Sequence, residues 1–323
     1  MPTLMDTIDN ITEKEYCIVR LNKSNLADIA RLHQYVYGTA VSNNYFQQKY
    51  NTAYTGIENV GFIAYNKDNI PVAFYAVIPC FIQYKKTVIL AAQSADTMTH
   101  PGHRYKGMFV ELSTITFNLC KQLNILLVFG FPNQNSYHGA VHKLGWKITD
   151  TMIYYNITVS SLPLQSISKR SGIFNWWYKK YCSFILAKKT VPVNGIRNSV
   201  LQDGFAGVYR DEDYLEYKMY NPSTVISIDN TKIWISSKHG MMIGDMEGID
   251  NNNFIIVINK LKQLAKKLGI QQIQFHCSPG TNLQQLFAAH YPGSASYPVL
   301  FQDFGSVIPP EKIKFNFADI DIF

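Results

Sequence analysis

Residues 94–109 read SADTMTHPGHRYKGMF, and within them Arg104, Tyr105, Lys106 and Gly107 have the types and spacing to hold an anion. An apolar run at 88–92 reads as a strand leading into this basic turn, and an amphipathic helix follows it. A helix that starts after such a turn directs unpaired backbone N–H groups, and the positive end of its dipole, at whatever lies ahead. Gly107 permits close backbone approach, while Arg104 and Lys106 add positive charge beside the amides. Phosphate binding is the chemistry this composition suits. An ordinary strand-to-helix turn with a solvated basic face is the plain alternative.

The stretch resembles motif A of the Gcn5-related N-acetyltransferases (GNAT), Gln/Arg-x-x-Gly-x-Gly/Ala. Arg104 and Gly107 match, and Phe109 stands where that family has a small residue. Downstream, a helix at 110–123, an apolar strand at 125–131, Pro132-Asn133-Gln134-Asn135-Ser136, a short helix to Lys143 and then Leu144-Gly145-Trp146 resemble motif B. The specific likeness spans about 88–156; a weaker one covers the N-terminal third, where 25–37 reads as the first helix. The resemblance implies acetyl-CoA as acyl donor. It implies a cofactor-binding set of Thr97, Met98, Thr99, Arg104, Tyr105, Lys106, Gly107, Met108, Phe109, Asn133, Asn135 and Ser136. It also implies that the strand splays at Thr97, Met98 and Thr99 to offer amides to the acetyl carbonyl, and that transfer to an amine is direct.

Acetyl transfer needs a neutral amine, a site for the oxyanion and a proton donor for the thiolate. The family's usual acid, a Tyr on the short helix, falls at Val141, so Tyr137 and His138, one turn earlier, are the nearest substitutes. Tyr137 is the candidate acid, against a packed structural role. Asp96, at the head of the cofactor strand, is the candidate base, against a carboxylate bonded to backbone. The ending FADIDIF, 317–323, is too apolar for a typical disordered tail. The chain also resembles two-domain acetyltransferases of the enhanced-intracellular-survival aminoglycoside type, through aromatic-basic clusters at 45–50 and 210–222. In that type the terminal carboxylate serves as base, which implies Phe323 as a further catalytic candidate; an added edge strand is the simpler reading of the tail. His100 with His103 and His138 with His142 have ligand-like spacing, yet Gly139 stands where a His-Glu-x-x-His motif has its Glu. No metal is expected.

The elements that must position these residues recur. Helix 110–123, strand 125–131, helix 135–143 and strand 150–156 are followed, at an offset of about 145 residues, by helix 254–268, strand 270–277, helix 283–290 and strand 299–304. Candidate hairpins, 60–65 with 72–77 and 225–228 with 232–236, precede each series. The expected fold is therefore α/β, two tandem GNAT-like domains, each a mixed, mostly antiparallel central sheet flanked by helices. The divisions are 1–159 for an acetyl-CoA-binding domain, 160–198 for an aromatic, basic linker, and 199–323 for a degenerate GNAT-like domain with its tail. In the second copy the turn reads Gly244-Asp245-Met246-Glu247-Gly248-Ile249-Asp250, whose carboxylates would repel a diphosphate. Within the linker, Phe174, Trp177, Tyr178, Tyr181 and Phe184 fall at helical spacing. Packing into the groove between domains is the expectation, and contact with a membrane surface through 172–189 the alternative.

Composition bounds the rest. The 323 residues are 47% hydrophobic, enough for two cores, and no window approaches a membrane span. Residues 1–10 lack the apolar core of a signal peptide, and five scattered cysteines suit a reducing compartment, so the expectation is a soluble, cytoplasmic protein. A net charge of +7 favours anionic partners in general. No nucleic-acid motif appears, and nucleic acid is not an expected partner. The expected function is acetyl transfer to a primary amine of a small molecule, an amino sugar among the options. The alternative is a non-catalytic acyl-CoA-binding or regulatory module; acceptor identity and oligomeric state are not legible.

Overall fold

The computed structural model describes residues 15–191, 196–238 and 240–323; the stretch 1–10 read above against a signal peptide lies outside them. In chain order the first elements are β1 (Cys17–Arg20), α1 (Leu26–Tyr37), α2 (Asn43–Lys49), β2 (Val60–Tyr65), β3 (Pro71–Tyr84) and β4 (Thr87–Thr99). Then come α3 (Met108–Gln122), β5 (Leu127–Gly130), α4 (Gln134–His138) and β6 (Lys147–Thr158). A connecting region holds α5 (Leu164–Ser168), α6 (Gly172–Ala187), α7 (Ser199–Gln202), β7 (Gly207–Val208) and α8 (Glu212–Lys218). The chain continues through β8 (Thr224–Ile228), β9 (Thr231–Ser236), β10 (Met241–Glu247), α9 (Phe254–Lys267), β11 (Gln272–Cys277), α10 (Asn282–Ala288) and β12 (Gly293–Asp303).

The repeat read from sequence is present as element order: an antiparallel β2-β3-β4 or β8-β9-β10 meander, a helix, a strand parallel to the last meander strand, a short helix, and a final strand. What sequence did not indicate is where the final strands go. β6 pairs antiparallel with β11 of the second series, and β12 pairs with β5 of the first, so each series closes on the other's last strand. β6 and β12 also pair with each other, giving one mixed α/β sheet in the order β1-β2-β3-β4-β5-β12-β6-β11-β10-β9-β8. Apolar residues on the sheet's faces and inward helix stripes then form continuous cores. One is built on Phe254, Val257, Leu261 and Phe275, and another mixes Phe129 and Met152 from the first series with Phe301 and Trp234 from the second.

The tail does not add an edge strand. After β12 the chain folds back as irregular structure, bridges Cys277 through Asn316, and makes a 3-10 turn at Phe317–Asp319. This turn lies against β10 and β11, in the position that α3 and the basic turn open onto in the first series. Gly244 lets it in: a Cβ there would lie 2.3 Å from the Phe323 ring.

Candidate active site

β4 and β5 run parallel and pair at Ala91–Leu127, Ala92–Val128 and Gln93–Phe129. Beyond that β5 stops at Gly130 while β4 continues to Thr99, so the strands part and leave the end of β4 without a neighbour on that side. The opening is a cleft of about 740 Å³, walled by the end of β4, the start of α3, α4 and the tail at Ile320–Ile322.

A β-bulge shapes the strand edge. Ala76 pairs with Ala95 and Phe74 with Met98, so Asp96 and Thr97 together oppose Tyr75, and Asp96 takes a φ of 45°. A non-glycine residue there carries strain that its contacts must offset. Its carboxylate accepts from Tyr50 Oη at 2.7 Å and pairs with Lys49 Nζ at 2.7 Å. Lys49, only 1% exposed, reaches Asp321 of the tail with the same ammonium at 2.8 Å, and Gln93 Nε2 donates to the other Asp321 oxygen at 3.0 Å. Burial alone would lower the Lys49 pKa, but Asp321 and Asp96 outweigh it and hold the ammonium well above the usual lysine value. The Tyr50 hydroxyl is raised well above its ordinary value by burial and by Asp96, so it stays a donor.

The tail is clasped as well as lodged. Lys218 Nζ donates to Ile320 O at 2.7 Å, and Tyr220 Oη and Asn221 Nδ2 each donate to Asp321 O at 2.8 Å. The α8 region thereby fixes Asp321 in the cleft wall.

At the other end, Gly107 adopts φ 82° as the residue before α3, a left-handed conformation that glycine takes at least cost. It supplies no side-chain cap, and Met108, Phe109 and Val110 of the first helical turn line the cleft together with Arg104, Tyr105 and Gly107. The Phe109 ring stacks edge-on to Tyr75 and lies where a Cβ on Gly139 would be 2.7 Å away, so a glycine in the turn after α4 makes room for it. Asn133 caps α4, its Oδ1 accepting from Asn135 N at 2.9 Å and Ser136 N at 3.1 Å; all three residues line the cleft.

Several residues singled out from sequence are placed elsewhere. Lys106 turns to Glu15 at 2.6 Å and lies over the Tyr16 ring, outside the cleft lining. Met98 is buried on the opposite face of β4, against α1 and α2, while Thr97 and Thr99 line the cleft. Tyr137 packs against the core beneath α3, and its neighbour His138 lines the cleft. The expected single short helix at 135–143 is α4 followed by a π turn, Gly139–Lys143, which alters which side chains face inward. Phe323 is buried among Trp234, Phe317 and Gly244, and the tail side chain that meets the site is Asp321. In the second series Asp245 does not face an opening; it is buried and bonded to Arg210 at 2.6 Å, Ser199 and Asn316. Among the described residues, no group of three or more His, Cys, Asp or Glu has metal-holding geometry. Sequence reasoning missed Lys49 and Asp321. A lysine inside the aromatic run 45–50 and an aspartate inside an apolar ending were the available signals.

With this geometry in view, the comparisons with known proteins bear on the first series and on the fold. Residues 18–149 match the model of the acetyltransferase (GNAT) domain. The whole chain has the fold of GCN5-related N-acetyltransferases: the Kribbella flavida protein superposes with a TM-score of 0.56 over 90% of this chain and 72% of its own, at 10% identity. The Anabaena variabilis GCN5-related N-acetyltransferase gives 0.53 over 90% and 73%, at 12% identity. Saccharomyces cerevisiae N-myristoyltransferase with bound myristoyl-CoA gives 0.56 over 91% and 80%, at 11% identity. At such identities these likenesses concern the fold. The comparison with curated proteins finds no match. The GNAT match ends at 149, and so leaves out β12 and the tail, whose Tyr297, Leu300, Ile320, Asp321 and Ile322 complete the cleft.

Proposed function

We propose that the chain is an acyl-CoA-dependent N-acyltransferase that moves an acetyl group to a primary amine of a small molecule, with tandem GNAT-like halves of which the first holds the donor. The observation that carries this reading is one cleft with opposite ends: the uncapped start of α3 beside Arg104, and the carboxylates Asp96 and Asp321. The first end suits a diphosphate and the second a cationic amine.

In this reading the amides of Gly107 to Val110 and the Arg104 guanidinium bind the donor's diphosphate, and the parted edge of β4 runs alongside the rest of it. Amides at Thr97 and Thr99, on the edge of β4 that lines the cleft, stabilise the oxygen of the carbonyl under attack. An amine arrives protonated and must lose that proton to become a nucleophile. Asp96, oriented by Tyr50 and Lys49, accepts it, and Asp321 helps to hold the incoming ammonium. The departing sulfur takes a proton from His138 or from water, since Tyr137 is turned into the core. In the second half the tail fills the corresponding opening, which leaves one donor site per chain.

A non-catalytic acyl-CoA-binding module is the second reading, favoured by the inward packing of Tyr137. One measurement tests donor binding, and a second separates the two readings. Acetyl-CoA at about a hundred times its Kd should stabilise the protein by roughly 2.7 kcal/mol under either reading. Thioester consumption over a panel of amines, amino sugars included, occurs only for the enzyme; no consumption with any amine, despite stabilisation, assigns the module.

A further inference from the structure

α6 packs by only part of the aromatic face expected from sequence: Tyr178 and Tyr181 meet the second half, while Phe174, Trp177 and Phe184 are exposed. Its inward face is narrow: Cys182 is buried, Tyr178, Ile185 and Leu186 rest on the core of the second half, and Tyr178 and Tyr181 donate to the carbonyls of Leu268 and Lys267. On the opposite face, at helical spacing, stand Ile173 at 76% exposure, Trp177 at 60% and Phe184 at 63%, with Phe174 and Trp176 also exposed beside them. Scattered single apolar residues need no explanation, but a contiguous aromatic face does.

Charge says what fits over it. Residues 151–202 carry seven Lys and Arg and no Asp or Glu, whereas the remainder of the chain is balanced at 23 of each sign, so the whole excess of +7 sits in this segment. Lys180 and Lys188 flank the aromatic face, with Lys180 Nζ 3.9 Å from the Trp176 ring centroid and Lys188 Nζ 5.0 Å from that of Phe184. Lys169, Arg170, Lys179 and Lys189 lie at or near the two ends and sides of the helix. Trp and Phe over an apolar boundary, with lysines able to reach anionic groups beside them, is the pattern of a helix that lies in a lipid interface. No helix among the described residues is long and apolar enough to cross a membrane, so the contact would be one of lying on the surface.

We propose that α6 docks the protein on an anionic lipid surface, with Ile173, Trp177 and Phe184 entering the headgroup boundary and the flanking lysines pairing with lipid phosphates. The site is separate from the acyl-transfer cleft and does not rest on the function proposed for it. The test uses the full chain with vesicles of phosphatidylcholine alone and of phosphatidylcholine mixed with phosphatidylglycerol. Binding should be at least about tenfold tighter to the anionic vesicles and weaken by a similar factor as salt is raised. Tryptophan emission should shift to the blue on binding, since Trp146 and Trp234 are already buried and Trp176 and Trp177 are the exposed reporters. The double variants Trp177→Ser with Phe184→Ser, and Lys180→Gln with Lys188→Gln, should each lose most of the binding while keeping the far-UV circular dichroism and cooperative thermal unfolding of the parent. Equal binding to both vesicle types, or none, overturns the proposal. So does concentration-dependent dimerisation without lipid that the Trp177→Ser, Phe184→Ser variant abolishes, because the face would then belong to a second copy of the chain.

Discussion

At the scale of residues, the site turns on an ammonium held between two carboxylates from distant parts of the chain. Lys49 and Asp321 are separated by 272 positions, and no local pattern links them; only the folded tail does. Removing one member of a buried charged group leaves the others uncompensated, commonly at about 3–5 kcal/mol. Lys49→Met should therefore lower the unfolding free energy by roughly that amount in denaturant titration. Asp96→Asn keeps the shape and removes the proton acceptor proposed above, so on that proposal kcat/KM should fall by about 10²–10⁴ while the acetyl-CoA thermal shift persists. A variant that keeps turnover would take Asp96 out of the chemistry. The basic turn was legible because its requirements are local: a positive φ calls for Gly107, and a helix start exposes amides whatever surrounds it. The fit of Phe109 was not, because it depends on Gly139, which sequence gives no reason to pair with it.

At the scale of elements, the tail is a strut between the two halves. Phe317 and Phe323 fill the opening between β10 and β11, and Ile320 and Asp321, which lie between them in sequence, complete the cleft beside β4. A methyl at Gly244 would meet the Phe323 ring at 2.3 Å. Gly244→Ala should thus destabilise by about 1–3 kcal/mol through overpacking. If the strut positions Asp321 as described, the same variant should lose turnover more than acetyl-CoA binding, and a parallel loss of both would place the tail's influence on the whole cleft instead. Helix and strand order was readable from periodicity, since each element's apolar face repeats within itself. The exchange of β6 and β12 was not, because a strand's alternation records that one face is buried and not which neighbour it pairs with.

At the scale of the whole molecule, the two halves are welded by shared strands and by the packing of His276 at their junction. This ring bonds Ser296 Oγ at 2.7 Å and lies among Tyr154, Tyr297 and Phe317, and burial lowers its pKa from 6.5 to about 4. The folded protein keeps it neutral where the unfolded chain would bind a proton, so acid favours unfolding. Stability should be constant above pH 6.5 and fall by roughly 2–3 kcal/mol as pH drops from 6.5 to 4 through this group. His276→Gln should flatten that part of a thermal-stability profile; an unchanged slope would assign it to other groups. The central proposal is that the parted strands β4 and β5 receive an acyl-CoA with its diphosphate at the start of α3. The most direct measurement is a crystal structure of the acetyl-CoA complex. The expected result is diphosphate oxygens within hydrogen-bond distance of the amides at 107–110, with the acetyl group toward Asp96; a donor bound elsewhere, or a Phe109 ring swung out of its place against Gly139 and across that corner, would contradict it.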